Sequence, residues 1–126
     1  MNLFDKTPLA WRKVAEWSCR DEEFVKRAAF ALMACLAWHD KTAADDRFLA
    51  LLPLVAAGAT DERNYVKKAV SWALRHIGKR NTRLHRAALS TARELAANPS
   101  RPARWIGADA VRELTTDAVR ARLASR

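Results

Sequence analysis

The feature that most constrains this chain is a repeated pentapeptide. Phe24-Val25-Lys26-Arg27-Ala28 returns 41 residues later as Tyr65-Val66-Lys67-Lys68-Ala69, and Ala103-Arg104-Trp105-Ile106 reads as a third, degenerate copy. The interval falls in the range, roughly 40–47 residues, of repeats built from helix pairs. A helix pair cannot bury its apolar face alone, so successive pairs must stack into a curved solenoid with a concave inner surface.

Apolar spacing and chain breakers support this. They predict seven helices, Pro8–Cys19, Asp21–His39, Ala44–Ala57, Glu62–Lys79, Arg83–Ala97, Arg101–Leu114 and Thr116–Ser125, with no strand pattern between them. The links carry turn or capping residues: Lys6-Thr7-Pro8, His39-Asp40-Lys41-Thr42, Gly58-Ala59-Thr60-Asp61, Gly78-Lys79-Arg80-Asn81 and Asn98-Pro99-Ser100. Pro53 should bend its helix. The expectation is an all-α, HEAT-like helical repeat solenoid forming a single domain over residues 1–126.

The 23 Lys and Arg outnumber the 14 Asp and Glu, giving a formal charge of +9 that favours a polyanionic partner. The apolar stretches Ala28–Trp38 and Phe48–Ala59 fall short of the roughly 20 residues that span a bilayer, so no membrane association is expected. No secretory signal pattern opens the chain, which points to the cytoplasm, and to the nucleoid if DNA is the ligand. Cys19 and Cys35 lack metal-ligand spacing, as do His39, His76 and His85, and no phosphate-binding glycine loop occurs. No cofactor or metal is expected. Asp21-Glu22-Glu23 and Asp61-Glu62-Arg63 read as acidic helix starts favoured by the macrodipole.

The helical wheel then separates two faces. In Glu62–Lys79, Val66, Ala69, Val70, Ala73, Leu74 and Ile77 share the core side. Lys68, Trp72, Arg75 and Lys79 fall opposite, placing an indole amid three cations. In Asp21–His39, Val25, Ala28, Ala29, Leu32 and Leu36 form the inward set, leaving Arg27, Ala31, Ala34 and Trp38 on the far side. In Arg101–Leu114, Ala103, Ile106, Ala110 and Leu114 point inward while Trp105, Asp109 and Arg112 share another side. A Trp in a basic stripe either covers a neighbouring repeat or packs on sugar or base while cations grip phosphates. Asp109 either caps the end of an adjacent helix or pairs with Arg112, or it is a catalytic or cation-sensing carboxylate. Leu3, Phe4, Leu9, Trp11, Val14 and Trp17 offer apolar surface with little later in the chain to cover it. The expectation is pairing with a second copy or with an amino-terminal partner.

Asn2-Leu3-Phe4-Asp5-Lys6-Thr7-Pro8, Glu23-Phe24-Val25-Lys26-Arg27-Ala28, the run from Asp61 through Trp72-Ala73-Leu74-Arg75 to Ile77-Gly78-Lys79-Arg80-Asn81, and Ala103-Arg104-Trp105-Ile106 are similar to the bacterial AlkD-like DNA alkylation repair family. The resemblance covers nearly all of this chain and about the carboxy-terminal half of a typical member. It implies HEAT-like repeats, double-stranded DNA in the concave groove, and hydrolysis of the N-glycosidic bond of cationic alkylated purines without a metal. It also implies that Arg27 is a groove arginine, that Trp72 packs against the nucleotide's sugar, and that Arg75 touches the DNA backbone. A Trp-Asp-x-x-Asp segment carries the family's catalytic aspartate ahead of Asn2, and this sequence starts at Met1. Asp109 and Asp5 are then the candidate substitutes. The expected DNA-binding set is Arg27, Lys68, Trp72, Arg75, Lys79, Trp105 and Arg112. The alternative is a protein-interaction solenoid that binds acidic peptides.

Overall fold

The computed structural model describes residues 8–20, 22–39 and 44–124. Within them the chain forms α1 (Pro8–Ser18), α2 (Glu23–His39), α3 (Asp45–Gly58), α4 (Asn64–Gly78), α5 (Thr82–Ala96), α6 (Arg101–Leu114) and α7 (Asp117–Ala124), and no strand. Leu3, Phe4 and Asp5, and the side chains of Leu9 and Trp11, lie outside this description.

The helices stack as pairs in two layers. α2, α4 and α6 lie side by side in one layer, with α4 packed between the other two. Behind them, α3 contacts α1 and α5, while α5 also packs along α4 and α6. α7 follows against α6. Contacts between α2 and α4, and between α4 and α6, join like ends, so the three helices of the first layer run parallel. This is the helical-repeat solenoid that the 41-residue recurrence implied.

Local chemistry explains the boundaries. Asn81 caps α5: its side-chain oxygen accepts from the Leu84 amide at 2.9 Å, and its Nδ2 donates to Asp45 at 2.8 Å, tying the start of α5 to that of α3. Pro102 stands in the first turn of α6, where a missing amide hydrogen costs nothing. α3 runs through Pro53, whose ring is exposed to solvent.

One expected cap is placed differently. α4 begins at Asn64 with no acidic residue in its first turn, so Asp61 and Glu62 lie in the link before it. Asp61 instead folds that link, accepting from the Arg63 amide at 2.9 Å and pairing with Arg63 at 2.7 Å and with Lys26 of α2 at 3.0 Å. Hydrogen bonding from Arg63 holds the Asp61 carboxyl well below the ordinary carboxylate range, against the opposing effect of burial.

Phe30, Met33, Leu36, Phe48, Val55, Leu74, Ile77, Leu84, Ile106 and Leu114 are fully buried and form one continuous core. Every inward residue expected of α4 and α6 is buried. In α2 the expected division needs correction. Ala34 is buried and Ala28 is exposed, while Phe30, Met33 and Ala37 join the core. The reason is that α2 is covered by both α1 and α4, which bury more than one stripe. Gly107 permits a close approach: a Cβ there would lie 2.3 Å from the Ala96 nitrogen and 2.4 Å from the Ala92 oxygen, so α5 and α6 meet backbone to backbone.

Candidate nucleic-acid interface

Five large apolar side chains among the described residues are exposed, and all five belong to the α2–α4–α6 layer. They are Phe24 (77%), Tyr65 (59%), Trp38 (53%), Trp105 (42%) and Trp72 (40%). Their placement follows from the wheel, since a helix whose opposite side is committed to the core must turn these rings outward. Single exposed apolar residues are ordinary on a protein surface, but confinement of every such ring among the described residues to one layer makes that layer the candidate contact surface.

At the amino-terminal ends of the three helices, cations rest on these rings. The Arg27 guanidinium of α2 lies 5.4 Å from the centre of the Tyr65 ring of α4, and the Lys67 ammonium lies 4.6 Å from that of Trp105 on α6. Phe24 and Tyr65 occupy equivalent positions of the repeated pentapeptide. Lys68, one residue along from Lys67, is exposed.

Toward the carboxy-terminal ends the chemistry changes. His76 sits between two indoles, meeting Trp38 edge-on at 5.3 Å and Trp72 at 5.6 Å. Burial, reinforced by Lys79 and Arg75 nearby, lowers its pKa to about 4, so the imidazole is neutral at physiological pH. Beside this cluster, α6 presents two carboxylates to the cations of α4. Glu113 lies 3.3 Å from Arg75 Nη1 and 3.1 Å from Lys79 Nζ. Asp109 accepts a hydrogen bond from Ser71 Oγ at 3.0 Å, lies 3.7 Å from Arg75 Nε, and pairs with Arg112. Arg75 Nε also donates to the Ser71 carbonyl at 3.3 Å, so the guanidinium is oriented from three directions.

All seven residues expected to meet DNA therefore lie on this layer, in two groups. Arg27, Lys68 and Trp105 belong to the amino-terminal half, and Trp72, Arg75, Lys79 and Arg112 to the carboxy-terminal half. Asp109 makes the structural pairing with Arg112 and adds Ser71 and Arg75 to it. Lys67, Ser71, His76 and Glu113 also belong to this face, though none lies on the basic stripes that periodicity picks out. Two signals point to His76, its i, i+4 spacing from Trp72 and its place beside Arg75, whereas Glu113 is linked to its partners only across 34 and 38 residues of sequence.

His85 is used elsewhere, its Nε2 standing 2.7 Å from the Leu114 carbonyl at the end of α6. Among the described residues, no group of three or more His, Cys, Asp or Glu is placed to hold a metal ion, and no helix is long and apolar enough to cross a membrane. Comparison with protein families matches residues 2–114 to a model described as DNA alkylation repair enzyme. Searches among curated proteins and among solved structures gave no match.

Proposed function

The chain belongs to the DNA alkylation repair enzyme family, and from that membership we propose that its α2–α4–α6 face binds double-stranded DNA in the removal of cationic alkylated purines. A role connected with DNA repair follows from the family itself. Duplex binding and cleavage of the N-glycosidic bond are what we propose within that role. The observation that carries it is the confinement of all the exposed rings among the described residues, interleaved with Arg27, Lys67, Lys68, Arg75, Lys79 and Arg112, to one layer of a chain with a net charge of +9.

In this reading the cations grip phosphates, and Trp72 and Trp105 pack on sugar or base. A cationic alkylated purine departs without being protonated. Catalysis must then stabilise the positive charge growing on the sugar and orient a water molecule. Asp109, engaged by Ser71, Arg75 and Arg112, acts here as a positioning residue that aims Arg75 at the DNA backbone.

The test is binding of alkylated and plain duplex across a salt series, with release of free base measured in parallel for wild type and Trp72→Ala. Affinity should fall steeply with salt, because each phosphate neutralised releases condensed counterions. Base release that disappears in Trp72→Ala supports excision at this face, and binding without release confines the role to holding DNA. Salt-independent affinity, or an acidic peptide bound as tightly as the duplex, would replace the DNA reading with that of a protein-binding solenoid.

A further inference from the structure

The cations best placed to hold phosphate at the carboxy-terminal half of the face already hold a carboxylate. Glu113 reaches both Arg75 Nη1 and Lys79 Nζ through the same oxygen, Oε2, at 3.3 and 3.1 Å. Two donors from two side chains converging on one anionic oxygen is the arrangement in which a phosphate oxygen would be bound. Building on the duplex-binding reading, we propose that Glu113 is an internal competitor of the DNA phosphate: it keeps Arg75 and Lys79 paired in the free protein and is displaced when the backbone docks.

The two carboxylates of α6 differ in a way that assigns them different parts. Asp109 is the more enclosed, its side chain 21% exposed, and it is fastened by the hydroxyl of Ser71, which is itself fully buried. Glu113 is 33% exposed, and its described partners are the two cations alone. Release of Glu113 therefore breaks ion pairs that water can replace, whereas release of Asp109 would strand a buried hydroxyl. Asp109 stays in place and keeps Arg75 oriented while Glu113 swings into solvent.

Two consequences separate this device from a general effect of charge. Removing the competitor tightens binding only while its cations are present. The number of phosphates contacted is the same with and without it, so the salt dependence keeps its slope.

The experiment measures duplex affinity by fluorescence anisotropy over a salt series for wild type, Glu113→Gln, Arg75→Ala/Lys79→Ala, and the triple variant combining them. Glu94→Gln, an exposed carboxylate on α5, controls for the change in net charge. Glu113→Gln should bind roughly three- to tenfold more tightly, the scale of two partly exposed ion pairs, along a line parallel to wild type. The gain should vanish in the Arg75→Ala/Lys79→Ala background and exceed that of Glu94→Gln. Helicity and melting temperature, measured alongside, establish that each variant is folded, and Glu113→Ala replaces Glu113→Gln if the latter is not. Unchanged or weaker binding by a folded Glu113 variant, or a gain that persists without Arg75 and Lys79, would overturn the competitor and leave duplex binding standing. Failure of wild type and variant alike to bind duplex would overturn both.

Discussion

The two halves of the α2–α4–α6 face use the same residue types for different ends. At the amino-terminal half, Arg27 lies on Tyr65 and Lys67 on Trp105, so these two cations rest against rings. At the carboxy-terminal half, Arg75, Lys79 and Arg112 are met by Asp109 and Glu113, and the rings of Trp38 and Trp72 turn to a neutral His76 instead. Aromatic support leaves a cation available to an incoming anion, whereas ion pairing fixes its geometry and makes the anion compete. If the face binds DNA as proposed, the first half attracts the backbone and the second discriminates.

The largest effect should come from removing α6 from both halves at once. Gly107→Ala places a methyl group within 2.3–2.4 Å of the α5 backbone, which cannot yield as a side chain can. Urea denaturation should show a loss of about 3 kcal/mol or more, the upper end for overpacking. A variant as stable as wild type would mean that α6 can shift without harm to the face.

Next, Arg75→Ala should weaken duplex binding about tenfold and Arg27→Ala about threefold, each reducing the salt slope by roughly one. The inequality has a structural cause. Losing Arg75 deletes the proposed phosphate ligand and leaves one described cation fewer on each of Asp109 and Glu113, which keep Arg112 and Lys79, whereas losing Arg27 leaves only the Tyr65 ring. Equal effects would mean that the carboxylates do not discriminate.

A smaller effect distinguishes the halves by pH. The folded state lowers the pKa of His76 to about 4, so the unfolded chain binds a proton there more readily. His76 thus contributes stability that is fully present above about pH 6.5 and lost as the pH falls toward 4. Denaturation midpoints followed from pH 7.5 to 4.5 should decline, and His76→Gln should remove that part of the decline. A His76 pKa near 6.5 by NMR would show that the indoles do not enclose it. Asp61, depressed in the folded state, keeps its contribution through this window and loses it only in stronger acid.

The smallest effect lies in the amino-terminal half. A double-mutant cycle on Arg27 and Tyr65 should give a coupling of about 0.5–1 kcal/mol, the scale of an exposed cation–π contact. It should vary less with salt than a cycle on Arg75 and Glu113. A coupling of zero would reduce the ring to a spacer.

Sequence alone settled which sides of α4 and α6 turn inward, because each has a single apolar stripe and strong polarity opposite it. It did so less well for α2, an almost wholly apolar helix in which periodicity has little contrast, and there Ala28 and Ala34 exchanged the surroundings expected of them. The same periodicity brought Trp72, Trp105 and their cations to light, since these positions repeat within one helix. The partners of those cations did not repeat. Glu113 beneath Arg75 and Lys79, Ser71 beneath Asp109, and Trp38 against His76 are contacts made across helices far apart in the chain. Intrinsic helix geometry decides which side a residue faces, so the sequence determined the repeat, the layers' apolar sides and the basic aromatic stripe. Which cation meets a ring and which meets a carboxylate depends on the lateral register of one helix against the next, set by packing at sites such as Gly107, and only the tertiary structure decided it.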